Sequence, residues 1–105
     1  MDKDQIYLSE IKEFCQEVID FTAQVAYEDF VSDRKLYLCV IKLIENIGEA
    51  SKRLSMEAKS QYPKVEWDKA AKMRDRLVHH YMDVDLAIVF DVAINEIPKL
   101  FSNLS

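Results

Sequence analysis

The chain has 105 residues, half of them hydrophobic and 31% charged, with a formal net charge of −5. That length supports one domain with one hydrophobic core, and the balance of apolar and charged residues excludes a disordered chain. One glycine, Gly48, and two prolines, Pro63 and Pro98, exclude a β-rich fold built on tight turns.

An all-α domain over residues 1–105 is expected, read as an up-down bundle of four long helices plus one short helix. Short connections make neighbouring helices antiparallel. Leu8, Ile11, Cys15, Val18, Thr22 and Val25 recur at steps of three and four, which predicts a first helix near 4–27. Residues 27–32 are expected to form the first connection, with Ser32 or Asp33 capping the second helix. Leu36, Val40, Leu43, Ile47, Ala50 and Leu54 form a regular seam in that helix, flanked by Cys39, Ile41 and Ile44. A helix apolar over so much of its circumference is expected to be buried on more than one side. Gly48 inside it suggests a close helix approach or a kink. Ser55 can cap a short helix over 55–61, which Pro63 closes. A further helix begins at Trp67, with the stripe Trp67, Ala70, Arg74, Leu77 and Tyr81. The last helix is capped by Asp83 or Asp85, runs to about 103, and is expected to kink or loosen in its last turns at Pro98.

No apolar run approaches the ~20 residues of a membrane span. The longest, residues 36–47, is interrupted by Lys42, Glu45 and Asn46. Residues 1–5 show no leader pattern, so a cytoplasmic protein without a membrane partner is expected. Cys15 and Cys39 lack CxxC spacing or a nearby histidine and read as reduced core thiols. There is no Gly-rich phosphate loop, HExxH motif or Cys/His zinc spacing, so no metal and no cofactor are expected.

Charge is uneven along the chain. Over residues 69–80, Lys69, Lys72, Arg74 and Arg76 stand against Asp75, an excess of three positive charges on an acidic body. Such a patch can hold a phosphate chain locally; a solvated helix face is the bland alternative. Both histidines, His79 and His80, fall in the same segment, beside Tyr81. Fixed positive charge favours a neutral imidazole, which can act as a base. Arginine's planar fork can hold a phosphate and stabilise charge developing on it. Arg and His together suffice for RNA cleavage without metal: histidine assists attack by the ribose 2′-hydroxyl while arginine holds the charge. On an ideal helix Arg74 and His79 lie about 140° apart. To meet on one phosphate, the helix must end or distort near His79, or two copies must combine. Histidines near a helix end also interact with its dipole and need do no chemistry.

The segment reads R-x-x-x-x-H-x-Y from Arg74 through His79 to Tyr81. It resembles the signature of HepT-like toxins of the HEPN superfamily. Residues 47–51 resemble that family's Gly-Glu-Ala stretch, Pro63-x-x-x-Trp67 precedes the motif, and Val84-Asp85 and Ile97-Pro98-x-Leu100 come after it. Asp75 stands where many members carry Asn. The resemblance implies a HEPN-like bundle and a homodimer with a composite cleft. It implies metal-independent endoribonuclease action on mRNA or tRNA, with Arg74 and His79 catalytic. It also implies a type II/VII-like toxin–antitoxin pairing with an MNT-type nucleotidyltransferase antitoxin, which would transfer AMP to Tyr81. Arg76 and His80 fall at variable motif positions. Glu45 and Glu49, four apart on the second helix, either support the arginine or are ordinary solvated carboxylates. Two other readings stay open: a non-catalytic HEPN interaction module that binds a nucleotidyltransferase partner or a nucleotide, and a purely structural dimer.

Overall fold

The computed structural model describes residues 3–80 and 83–104, with the backbone alone described at 78–80. The element order is α1 (Lys3–Thr22), α2 (Tyr27–Ser32), α3 (Arg34–Arg53), α4 (Met56–Ser60) and α5 (Trp67–Ala71). Next come a 3₁₀ turn (Arg74–Leu77), β1 (Val78–His80), β2 (Asp83–Val84) and α6 (Leu86–Asp91). A π-helical turn (Val92–Glu96) and α7 (Ile97–Asn103) complete the order. The fold is an all-α bundle, with one short antiparallel strand pair inserted where the motif lies.

Helix α1 buries the predicted stripe Leu8, Ile11, Cys15, Val18 and Thr22. It packs against the α3 seam of Val40, Leu43, Ile44, Ile47 and Ala50. The two helices run antiparallel, because Asp4 at the start of α1 meets Ser55 just past the end of α3. Its carboxylate accepts from the Ser55 backbone N–H at 3.0 Å and from the Ser55 hydroxyl at 2.6 Å. Those two bonds, the hydroxyl's first, hold the Asp4 carboxyl below its usual range. Val89, Val92, Ala93 and Ile97 complete the core and are fully buried. Each buried aliphatic side chain of Val, Leu or Ile size contributes about 1.5–3 kcal/mol. The buried hydroxyls of Thr22 and Ser51 donate to carbonyls one turn back, Val18 and Ile47.

The structure differs from the sequence reading in four places. The first helix ends at Thr22 rather than 27, because Gln24 turns the chain through a positive φ of 60°. Residues Tyr27–Ser32, expected as a connection, form helix α2, whose buried Phe30 packs on Phe90 at 5.1 Å between ring centroids. The third long helix, expected from Trp67 to Tyr81, is only five residues, Trp67–Ala71, before it tightens into the 3₁₀ turn. Cys39 is exposed, whereas Cys15 is buried as expected.

The expected caps form at Asp33, Ser55 and Asp85. Gly48 marks a close approach: a Cβ there would lie 3.4 Å from the Ala71 carbonyl oxygen and 3.6 Å from that of Ala70. Near Pro98 the helix loosens, one of the two expected outcomes, into a wider π-helical turn. The Ile97 N–H reaches back five residues to the Val92 carbonyl, and Pro98, which has no N–H to give, comes directly after. No helix among the described residues is long and apolar enough to cross a membrane.

Candidate active site

The motif sits where helical geometry breaks down. After Ala71 the chain tightens, with Asp75 N–H bonded to the Lys72 carbonyl and Arg76 N–H to that of Met73. Met73 and Leu77 are buried and pin the segment to the core. Asp85 N–H donates to the Leu77 carbonyl at 2.9 Å, which closes the base of the β1–β2 pair. Val78 pairs with Val84 and His80 with Asp83, and the register shifts between them at His79. A bulge of this kind re-aims a side chain relative to a regular ladder. The condition set by the sequence, a helix that ends before His79, is therefore met, and it is met before Arg74.

Arg74 and Glu45 come together as one of the sequence readings allowed. Arg74 Nε lies 3.3 Å from Glu45 Oε2, across from α3 to the 3₁₀ turn. The arginine side chain remains 57% exposed. Its nearest other carboxylate is the neighbouring Asp75, at 3.9 Å from Nη1. The Glu45 carboxylate thus holds the guanidinium through Nε while the side chain stays more than half exposed and can still meet an anion.

Glu49 is not part of this arrangement. It is exposed, pairs with Lys52 at 3.7 Å, and lines a groove between α1 and α3 beside Tyr7, Phe14 and Arg53. For Glu49 the solvated-carboxylate reading holds. The side chains of His79 and His80, and all of Tyr81, lie outside the described residues, so their expected roles are carried by sequence position alone.

Sequence reasoning missed Glu96. It stands at the end of the π-helical turn and is only 19% exposed. Its Oε1 accepts from Arg76 Nη2 at 2.6 Å and lies 3.5 Å from Lys69 Nζ. Arg76 Nε is buried without a hydrogen-bond partner. A visible signal was present: a carboxylate two residues before Pro98, directly ahead of the apolar Ile97. Glu45 and Glu96 both sit among the cations of residues 69–80, so the excess of three positive charges counted along the segment falls to one. No group of three or more Asp, Glu, His or Cys side chains among the described residues could hold a metal.

Comparison with known proteins places the chain in a family. The profile of a family described as "Ribonuclease HepT-like" matches residues 11–105. A Thermococcus cleftensis protein named "Probable ribonuclease HepT" is 37% identical over 94 residues, covering 90% of this chain and 86% of that protein. A Methanocaldococcus jannaschii protein provisionally named as an RNase is 38% identical over 93 residues, covering 89% of this chain and 77% of its own length. A similarly named protein of Caldanaerobacter subterraneus is 37% identical, covering 90% and 84%. No solved structure matches. The match spans the core helices as well as the Arg74 turn and the bulged strand, and by it the chain belongs to the HepT-like ribonuclease family.

Proposed function

We propose that this chain is an endoribonuclease that cleaves mRNA or tRNA without a metal, at a centre built on the Arg74–Leu77 turn and the bulged strand after it. The supporting observation is the arginine's presentation: Glu45 holds Arg74 by Nε, and its side chain remains 57% exposed, with the also exposed Asp75 at 3.9 Å from Nη1. In the reaction, His79 takes the proton of a ribose 2′-hydroxyl, and that oxygen attacks the adjacent phosphorus. Arg74 holds the charge that develops on the phosphoryl oxygens. The P–O5′ bond breaks, and the leaving oxygen takes a proton from the imidazolium or from water. The products are a 2′,3′-cyclic phosphate and a 5′-hydroxyl end.

The same reading makes the protein a cytoplasmic toxin and a homodimer, with the motifs of two copies meeting in one cleft. Its cognate partner would be an MNT-type nucleotidyltransferase antitoxin. AMP transfer to Tyr81 would add bulk and negative charge beside Arg74 and oppose RNA entry. His80 and Arg76 would flank the cleft rather than react.

The test is induced expression of wild type, Arg74→Ala and His79→Ala, with growth and total RNA monitored in the same cultures. Wild type should arrest growth and generate new 5′-hydroxyl RNA ends, and folded variants should do neither. Arrest by His79→Ala equal to wild type, or harmless wild-type protein with intact RNA, would instead favour a non-catalytic module that binds the nucleotidyltransferase or a nucleotide.

A further inference from the structure

We propose that Glu96 is a positioning residue for RNA cleavage, acting through Arg76 to fix the turn that presents Arg74 and leads into His79. This inference rests on the ribonuclease reading of the same site.

The turn needs outside support. A four-residue 3₁₀ segment has poor hydrogen-bond geometry of its own, and here it joins a five-residue helix to a two-strand pair. Buried Met73 and Leu77 fix its inner side. On its outer side, two arginine–carboxylate pairs tie it to separate helices: Arg74 to Glu45 on α3, and Arg76 to Glu96 at the π-helical turn. The second tie is the shorter, 2.6 Å against 3.3 Å, and its carboxylate is the less exposed, 19% against 32%. A shorter contact with less water around it is the stronger one.

Glu96 also reaches the segment before the turn. The same Oε1 lies 3.5 Å from Lys69 of α5, so one oxygen holds both α5 and the turn beyond it. The Arg76 side chain has no other hydrogen-bond partner among the described residues, and its Nε is buried and unpaired there. Without Glu96 the guanidinium would lose that hold on a partly buried site, where an uncompensated charge is costly. The side chain would then swing towards water and draw the turn with it. Arg76 is two residues from Arg74 and three from His79, so such a shift reaches both. The carboxylate itself sits in an irregular turn of the helix, an arrangement often found at functional sites.

Position and charge make opposite contributions at Glu96, which permits a clean test. As an anion among cations it opposes binding of RNA phosphates; as a tether it favours the chemical step. The experiment is single-turnover cleavage of bulk tRNA and of a transcribed mRNA, with enzyme in excess over a range of concentrations. Wild type, Glu96→Gln, Glu96→Ala, Arg76→Lys and Arg74→Ala are compared, with the thermal midpoint of each. Glu96→Gln keeps an oxygen that can accept from Arg76, and Glu96→Ala does not.

Tethering predicts that the plateau rate falls in the order wild type, Glu96→Gln, Glu96→Ala, the last by about tenfold or more. Both Glu96 variants should half-saturate at lower enzyme concentration, because the negative charge is gone. Arg76→Lys, which keeps the charge, should lower the plateau without that change. A Glu96→Ala plateau within about twofold of wild type overturns the proposal. So do equal plateaus for Glu96→Gln and Glu96→Ala with only half-saturation altered, the mark of a purely electrostatic role. Should Glu96→Ala not fold, the ordering of Glu96→Gln and Arg76→Lys against wild type decides the matter alone. Wild type no more active than Arg74→Ala removes the ribonuclease reading, and the proposal with it.

Discussion

Cys15 lies in the buried stripe of α1 and Cys39 on the open side of α3. Both fall within apolar runs, so sequence alone treated them alike; what separates them is which flank of α3 finds a neighbour. Leu38, beside Cys39, is also 45% exposed, whereas Ile44 on the same flank is fully buried, so that flank is covered only in part. Burial pushes the Cys15 thiol up from 9.0 to about 12, because the thiolate would have to form away from water. In native protein at neutral pH, an alkylating reagent should modify Cys39 quickly and Cys15 only on unfolding. A mass spectrum would show one adduct native and two denatured; rapid double modification would contradict the packing. The linked effect on stability has a definite sign. The folded thiol holds its proton more tightly than the unfolded one, so its contribution is complete below about pH 9 and is lost as pH rises towards 12. The thermal midpoint should decline over that range, and Cys15→Ala, though less stable at neutral pH, should decline less steeply. At the candidate site, Glu45 as a partner of Arg74 was one of the open readings, beside that of a solvated carboxylate, and only the fold brings the two together across 29 residues. Glu96 escaped because its two partners lie 20 and 27 residues away along the chain.

Among the elements, regular helices were legible and their ends were less so. The caps at Asp33, Ser55 and Asp85 were visible because short polar side chains before an apolar run have one main use. The end of α1 was hidden because Gln24, not glycine or asparagine, takes the positive φ there. A β-carbon in that region costs of order 1 kcal/mol. Gln24→Gly should therefore raise stability by about 0.5–1 kcal/mol in denaturant titration. No gain, or a loss, would mean that the Gln24 side chain offsets its own backbone cost. Gly48 offers the complementary case. A β-carbon there meets the Ala71 carbonyl oxygen at 3.4 Å, an ordinary contact, so Gly48→Ala should be neutral or stabilising by up to about 1 kcal/mol. Gly48→Leu should push on α5 and destabilise by about 1–3 kcal/mol. If alanine proves as damaging as leucine, α3 and α5 approach more closely than these distances allow. The helix from Trp67 was overextended in the sequence reading because its stripe continues in register to Tyr81. Tertiary ties at Leu77, Arg76 and Asp85 overrode a periodicity that is real in the sequence.

For the whole molecule, charge decides how RNA can be held. The chain carries a net charge of −5, so it does not attract a long polyanion as a whole, and binding must rely on a local cationic patch such as the motif face. Four cations, Lys69, Lys72, Arg74 and Arg76, form that face, and Glu45 and Glu96 sit among them. Each phosphate neutralised on a single strand contributes about −0.7 to the slope of log K against log salt. Four contacts would give a slope of about −3, and the two embedded carboxylates should make it shallower. Fluorescence anisotropy of His79→Ala with a single-stranded RNA, titrated across salt concentrations, measures this slope without cleavage. A shallow slope means a short footprint confined to the turn and the bulged strand, with selectivity drawn from the shape of the cleft. A slope much steeper than about −3 means that more phosphates are gathered than one motif can hold. Lys64 and Lys99 border the same groove as Lys69 and Glu96, so the additional cations come either from that edge of this chain or from a second copy; only in the second case should the steeper slope disappear in protein diluted until it sediments as a monomer.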